Sequence, residues 1–185
     1  LASEIANKSG TDVVLDLDFR ADQWHDILAF GVTVRSFMQN ARIVIGTEEE
    51  ILAANLTEQS QVNITHQQIS APEIKGNLQE AISGILKLGV EALIMKTGSR
   101  GSIIYLADGS KQEVPGFPVD VLNILGAGDA FAAGFIYGYL KGWELYKCCR
   151  MGNACGAWVV TKLGCANFNP YEKEILEFIQ SRGGF

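Results

Sequence analysis

The chain has 185 residues, which fits one domain or one large part of a domain. Its apolar share of 48% is enough to build a core, and its charged residues, 19% of the chain, are spread evenly, which argues against disorder. The diffuse net charge of −6 argues against a nucleic-acid partner. No run of about 18 apolar residues occurs, so we expect no membrane-spanning helix.

Strands and helices are predicted to alternate along the chain. Short apolar runs predict strands at 13–17, 43–45, 92–95, 103–106 and 112–114. Apolar residues at helical spacing predict helices at 24–38, 48–55, 74–88, 126–140 and 144–161, and a last helix after 169. This alternation predicts an α/β fold, a three-layer α/β/α sandwich with a mostly parallel sheet, in which residues 1–185 form a single domain fragment.

Turn and cap residues set the predicted boundaries of these elements. Gly46 is expected to stop the second strand, and Asp108-Gly109 is expected to form a hairpin turn. Asn169 and Pro170 fit the N-cap and N1 positions of the last helix. The chain begins at Leu1 with residues that are typical of the end of a helix, so we expect a further segment upstream of it.

The four cysteines predict no metal or redox site. Cys148, Cys149, Cys155 and Cys165 lie in apolar, Gly- and Ala-rich surroundings, and their spacing matches no zinc or thiol-redox pattern. We expect reduced thiols in or near a core, which favours a cytoplasmic location.

The strongest chemical signal is the sequence Gly126-Ala127-Gly128-Asp129 at the predicted start of a helix. Small residues let a ligand approach the backbone closely, and the first-turn amides of a helix have no helical acceptor. Together with the helix dipole, these amides form an anion hole that suits a phosphoryl group. A carboxylate in the same turn can accept a proton from an attacking hydroxyl. An ordinary glycine-rich helix start is the alternative.

The stretch from Asn123 to Phe131 resembles the C-terminal signature of the ribokinase-like (PfkB) carbohydrate kinases. The resemblance covers essentially the whole chain. It implies ATP-dependent phosphorylation of a primary hydroxyl of a sugar or sugar acid. Asp129 would be the catalytic base, while Gly126, Ala127 and Gly128 would hold the transferring phosphoryl group.

The resemblance also implies where the nucleotide binds. The segment from Lys96 through Gly98 and Ser99 to Gly101 resembles the strand and turn that approach the phosphates of ATP in this family. Lys96 could contact a phosphate as a point charge, or it could be a lysine that extends from a strand end to solvent. Asn153 and Gly164 resemble the adenine-side helix and loop. We therefore expect the nucleotide-binding region mainly within 96–170.

Two motifs bear on metal ions. Thr47-Glu48-Glu49-Glu50 resembles an Asn-x-x-Glu segment that acts on magnesium and phosphate, with Thr47 in the place of the usual Asn. Glu50 would then act on Mg²⁺ through water. Asn123 stands where most of the family has an Asp that is tied to a monovalent-cation site, which leaves a potassium requirement open.

The segment Asp16-Leu17-Asp18-Phe19-Arg20, followed by Trp24, narrows the substrate. It resembles the corresponding segment of the sugar-acid kinases in this family, which act on 2-keto-3-deoxygluconate or, in inositol catabolism, on 5-dehydro-2-deoxygluconate. The latter group is the more similar. Asp18 and Arg20 would contact the substrate or a phosphate, since the planar guanidinium binds such anions well. The alternative for Arg20 is a salt bridge to Asp16 or Asp18.

Several alternatives stay open. The family normally carries a further N-terminal part with a lid, which often makes a homodimer, so the 185 residues alone could be a non-catalytic module that binds nucleotide or sugar. A ribokinase or fructokinase is a second possibility. A dinucleotide-binding oxidoreductase ranks low, because no G-x-G-x-x-G follows the first strand.

Overall fold

The computed structural model describes residues 1–63, 72–164 and 166–185. The helices found there are α1 (Ala2–Lys8), α2 (Ile27–Met38), α3 (Glu48–Ala53), α4 (Leu78–Leu86), α5 (Ala127–Leu140), α6 (Leu145–Val160) and α7 (Glu172–Gln180). The strands are β1 (Val14–Asp16), β2 (Ile43–Thr47), β3 (Val62–Asn63), β4 (Glu73–Ile74), β5 (Ala92–Lys96), β6 (Gly101–Leu106) and β7 (Lys111–Pro115). No helix among the described residues is both long and apolar enough to cross a membrane.

Five of the strands form one sheet in the order β1-β2-β5-β6-β7. The first three run parallel, and their register places Asp16 beside Ile45 and Thr47 beside Lys96. The last two are joined by a turn at Gly109, whose φ is 85°. The predicted α/β fold with a mostly parallel sheet is therefore confirmed. β3 and β4 form a separate antiparallel pair.

The chain divides into two compact units. Unit 1 consists of Leu1–Lys96 and Tyr105–Lys111, and unit 2 consists of Thr97–Ile104 and Gln112–Phe185. In unit 1 the apolar residues of β2 and β5 are almost wholly buried, as expected for central parallel strands. In unit 2 one core cluster is built around α6 and α7, and its largest buried side chains are Phe117, Met151, Ile175, Phe178 and Ile179.

Gly46 does not end the second strand. It pairs with Met95 within the β2–β5 ladder, and β2 continues to Thr47. A Cβ atom at this position would lie 2.8 Å from Cδ1 of Leu17 and 3.4 Å from Oε2 of Glu50. The glycine therefore marks a close approach of side chains to the backbone, which is the other common reason for a glycine in a strand.

Two predicted helix starts are also wrong, because tertiary contacts override the local signal. Ile74, expected in a helix, pairs with Val62 in the β3–β4 ladder, and α4 begins only after Asn77. The Asn77 side chain accepts hydrogen bonds from the backbone amides of Gln79 and Glu80, as an N-cap does. The N-cap of α7 is Tyr171 rather than Asn169, whose side chain donates instead to the carbonyl of Ala166.

Arg150 joins α6 to other parts of unit 2. Its side chain is buried, with 6% of the residue exposed, and donates to the carbonyls of Pro115 at 2.8 Å and Gly184 at 2.6 Å. The guanidinium also lies 3.8 Å from the ring centre of Phe117. Burial lowers the pKa of this guanidinium.

Replacing Arg150 with alanine is expected to lower the free energy of unfolding by about 2–4 kcal/mol, since a buried side chain is removed and two carbonyls lose a charged donor. Chemical denaturation measures this loss. Arg182→Ala is the matched control, because the exposed Arg182 guanidinium also stacks on an aromatic ring, that of Phe178. The control should lose less than about 1 kcal/mol. Equal losses would show that the buried hydrogen bonds contribute little.

Three cysteines lie on α6 and are buried, as predicted. Cys148, Cys149 and Cys155 form no disulfide among the described residues. Burial raises the pKa of Cys148 to about 11 and the pKa values of Cys149 and Cys155 to about 12. These thiols are therefore protonated at neutral pH and unreactive in the folded protein. Cys165 lies outside the described residues.

Candidate active site

The start of α5 has the geometry of an anion-binding helix N-terminus. Gly126, the N-cap, has a φ of 82°, a left-handed conformation that glycine adopts without strain. Its carbonyl accepts the first helical hydrogen bond, from Ala130. Within the described residues, the amides of Gly128 and Asp129 have no acceptor. These donors and the dipole of a 14-residue helix favour a bound anion.

Ala127 contributes less to this anion hole than the sequence suggested. Its amide points to the carbonyl of Ile124 at 3.3 Å, a long hydrogen bond that closes the turn before the helix. The same turn is held by Asn123, whose Oδ1 accepts the amide of Leu125 at 3.0 Å. A role of Asn123 at a monovalent cation stays a prediction, and its visible role is to shape the turn.

Asp129 lies in the first turn of α5 and is exposed. No hydrogen bond or ion pair to its carboxylate is found among residues 1–63, 72–164 and 166–185. The side chain thus stands one residue beyond Gly128, outside the packed interior, and is available to a hydroxyl group. This is the arrangement that a general base next to a phosphoryl-binding site requires.

The strand-to-strand turn from Gly98 to Gly101 is fixed by backbone geometry. The amide of Thr97 donates to the carbonyl of Gly101 at 2.8 Å, and both glycines have positive φ. A Cβ atom at Gly101 would overlap the backbone of Val114 and Gly116. The turn is therefore rigid at Gly101, whereas a Cβ atom at Gly98 would meet nothing within 4 Å.

The two predicted adenine-side residues have structural contacts. Asn153 is 7% exposed, and its side-chain amide donates to the carbonyls of Val114 at 3.2 Å and Pro115 at 3.1 Å. These bonds attach α6 to β7. Gly164 lies so close to the ring of Phe168 that a side chain would overlap it. A nucleotide contact at either residue stays a prediction.

Unit 1 brings together three charged side chains, those of Asp16, Glu50 and Lys96. The ammonium of Lys96 lies 3.0 Å from Oδ1 of Asp16 and 3.5 Å from Oε2 of Glu50. The same Glu50 oxygen accepts the amide of Thr47 at 2.7 Å, and the Thr47 hydroxyl accepts the amide of Glu50 in return. This capping box starts α3.

Burial and charge have opposing effects on this cluster. Burial raises the pKa of the Glu50 carboxyl above its usual value, although the charge of Lys96 and the Thr47 amide act against the increase. Burial lowers the pKa of Lys96, but Glu50 and Asp16 outweigh it, and the pKa of the ammonium is raised. From the sequence, Asp16 was expected only within the substrate motif and as a possible partner of Arg20. Its contact with Lys96 was not predicted, although each residue ends its own strand.

Asp18 and Arg20 form an ion pair of 3.0 Å just beyond β1. This is the alternative that the sequence left open for Arg20. Asp18 has a φ of 36°, an uncommon left-handed conformation for a residue other than glycine, and lies between the buried Leu17 and Phe19. Such conformations are found at functional sites more often than elsewhere.

The described residues include carboxylates that could bind magnesium, but they do not supply a complete set of protein ligands. No group of three or more His, Cys, Asp or Glu residues among them is placed to hold a metal ion. Mg²⁺ usually keeps several waters and binds through one or two carboxylates together with substrate phosphates. The Glu50 carboxylate fits that pattern, and it fits contact through water better than direct coordination because Lys96 and Thr47 already engage it.

Comparison with known proteins decides the family. The family model described as pfkB family carbohydrate kinase matches residues 1–172. The chain belongs to the PfkB carbohydrate kinase family. The resemblance inferred from the Gly-Ala-Gly-Asp segment is thereby confirmed.

Relatives within the PfkB family agree with this result. Two curated relatives named 5-dehydro-2-deoxygluconokinase, from Clostridium tetani and Clostridium botulinum, are 30% and 31% identical, and each alignment covers 98% of this chain and 50% of the relative. A putative ribokinase II from E. coli, solved in complex with ATP and Mg²⁺, has a TM-score of 0.78 at 26% identity, over 97% of this chain and 52% of that one. The chain spans about half the length of the curated relatives it matches.

Proposed function

We propose that this chain is the phosphoryl- and nucleotide-binding part of an ATP-dependent kinase that phosphorylates a primary hydroxyl of a sugar acid. The observation that carries the proposal is the start of α5. There an exposed carboxylate, that of Asp129, follows directly on amides that have no acceptor among the described residues. The nucleotide-binding region lies mainly within 96–170.

Phosphoryl transfer needs alignment and charge stabilisation more than covalent help from the protein. The amides of Gly128 and Asp129, with that of Gly126, bind the oxygens of the transferring phosphoryl group and stabilise the charge that develops on them. The Asp129 carboxylate accepts the proton of the attacking hydroxyl at one of its oxygens. The donor and the base belong to one helical turn, so the backbone fixes their spacing.

ATP and Mg²⁺ are the implied co-substrate and metal ion. The putative ribokinase II that resembles this chain was solved with both. Glu50 would hold magnesium through water, and the ion would neutralise phosphate charge when bound. The turn at Gly98, Ser99 and Gly101 and the residues Asn153 and Gly164 complete the proposed nucleotide contacts. A potassium ion near Asn123 is a weaker proposal, since an amide replaces the carboxylate expected there.

The substrate is proposed to be 5-dehydro-2-deoxygluconate, with 2-keto-3-deoxygluconate as the alternative. Both are acids, and the planar fork of Arg20 suits a carboxylate. The curated relatives cited above carry the name of the first activity. From the family resemblance we also propose a homodimer for the whole protein and a cytoplasmic location.

A coupled assay of ADP release tests the function. The substrates to compare are 5-dehydro-2-deoxygluconate, 2-keto-3-deoxygluconate, ribose and fructose. Highest kcat/KM with the first acid is the expected result, and preference for a neutral sugar would overturn the substrate assignment. ATP binding in calorimetry without turnover on any of the four would indicate a non-catalytic binding module instead.

A separate prediction concerns the anion hole. Gly128→Val should weaken ATP binding and lower kcat/KM by about 10- to 100-fold, because a branched side chain would stand where the phosphate approaches the backbone. The matched control is Ala133→Val, which places the same side chain on an exposed face of the same helix. Titration calorimetry and the ADP-release assay measure both variants. Unchanged affinity and turnover in Gly128→Val would refute the anion hole.

A further inference from the structure

The Asp16–Lys96–Glu50 cluster joins the carboxyl ends of three neighbouring strands. Asp16 is the last residue of β1 and Lys96 the last residue of β5, while β2 lies between them and leads into the turn of α3 that carries Glu50. The Lys96 side chain extends across the end of β2 and places its ammonium between the two carboxylates, 3.0 Å from one and 3.5 Å from the other.

The cluster is shielded from solvent. The side chain of Lys96 is 13% exposed, that of Glu50 is 14% exposed and that of Asp16 is 26% exposed. Removing one partner of a buried ion pair leaves an uncompensated charge, which is strongly unfavourable. A phosphate that bound Lys96 would therefore have to enter this shielded space beside two carboxylates, or draw the ammonium away from them.

The charge of the cluster also disfavours a phosphate contact at Lys96. The two carboxylates and one ammonium of the cluster sum to a charge of −1, and the neighbouring Asp18–Arg20 ion pair sums to zero. A phosphate group that approached Lys96 would meet this negative charge. A hydrated cation would be attracted by it.

We propose that Lys96 is a positioning residue whose ammonium acts as the internal counter-ion of Asp16 and Glu50, and that it does not contact the phosphates of ATP. The proposal rests on the proposed kinase function, because it assigns a task within that site. Glu50 then keeps the orientation in which its Oε2 faces the Thr47 amide.

Amine labelling of the unmodified chain tests the proposal directly. Acetylation by an N-hydroxysuccinimide ester is followed at each lysine by mass spectrometry, with and without ATP. Lys96 should react about tenfold or more slowly than the exposed Lys87 and Lys173, because its amine is buried between two carboxylates. Addition of ATP should change its rate by less than about twofold. Rapid labelling that ATP suppresses would overturn the proposal.

A double-mutant cycle supplies the second readout. Lys96→Met should destabilise unit 1, and adding Glu50→Gln should recover part of the loss, with a coupling of about tenfold or more in the equilibrium constant of unfolding. The dissociation constant for metal-free ATP, measured in the presence of EDTA, should change by less than about twofold in Lys96→Met, because the effect of Lys96 on ATP passes through Glu50 and magnesium. Absence of coupling, or a tenfold loss of affinity for metal-free ATP, would refute the role. If the wild-type chain binds no ATP, the proposed kinase function of this chain is contradicted. The labelling rates without ATP and the double-mutant cycle test the counter-ion role of Lys96 independently of that result.

Discussion

Replacing Asp129 with asparagine is expected to lower kcat by about 10²- to 10⁴-fold, which corresponds to roughly 3–5 kcal/mol of activation free energy. An amide has nearly the shape of the carboxylate but cannot accept the proton of the attacking hydroxyl. The KM values for ATP and sugar should change little, because the helix amides that bind phosphate are unaltered. Steady-state kinetics in the ADP-release assay measure both quantities.

Asp120→Asn is the control for this change. Asp120 is exposed in the segment before α5, so the substitution removes the same charge at a position without a proposed role in catalysis. It should retain nearly full turnover. Near-normal turnover in Asp129→Asn would contradict the assignment of Asp129 as the base. An equal loss of turnover in both variants would show that the loss comes from removing a negative charge, and not from proton transfer by Asp129.

Replacing Gly101 with alanine is expected to lower the free energy of unfolding by about 3–5 kcal/mol. Gly101 has a φ of 105°, and a Cβ atom there would overlap the carbonyl of Val114 and the amide of Gly116. These neighbours are backbone atoms of the β7 end, so they cannot rotate away as a side chain could. Thermal and denaturant unfolding measure the loss.

Gly109→Ala separates the overlap from the backbone strain. Gly109 also has a positive φ, of 85°, but a Cβ atom there would meet nothing within 4 Å. This control should lose only about 1–2 kcal/mol, the cost of a left-handed conformation for alanine. Losses of similar size in the two variants would mean that the backbone at the end of β7 can shift away from a Cβ atom at Gly101 at little cost in free energy.

Much of the fold could be predicted because its strongest signals are local. The apolar runs that became β2 and β5 and the helical spacing in α5 and α6 give the right element type with boundaries close to those observed. Burial on both faces of a central parallel strand produces such runs directly. The start of α5 could also be predicted from the sequence, since the residues that set its conformation and its proposed chemistry are the four consecutive residues from Gly126 to Asp129.

The errors occur where a contact distant in sequence decides the outcome. Ile74 joins a strand because Val62 pairs with it, although its spacing fits the following helix. Gly46 remains within a strand because its pairing with β5 holds it there, while the Leu17 side chain occupies the space that a Cβ atom would need. Local propensity contains no information on either neighbour.

The Asp16–Lys96–Glu50 cluster was not predicted for a similar reason. Asp16 and Lys96 are 80 residues apart in sequence, and their approach follows from the strand order β1-β2-β5. Arg150 is a second case, since a charged residue in a helix is usually exposed. Its burial depends on the carbonyls of β7 and of the C-terminal segment, which supply its hydrogen bonds.

Because α6 carries three buried cysteines, the reactivity of their thiols can be used to measure local unfolding of this helix. An alkylating reagent needs an ionised, accessible sulfur, and Cys148, Cys149 and Cys155 are neither while α6 is packed. Their modification rates in the native protein therefore measure how often α6 detaches from its neighbours. Peptide mapping resolves the three sulfurs individually, so the same experiment distinguishes fraying of one end of the helix from release of the whole element.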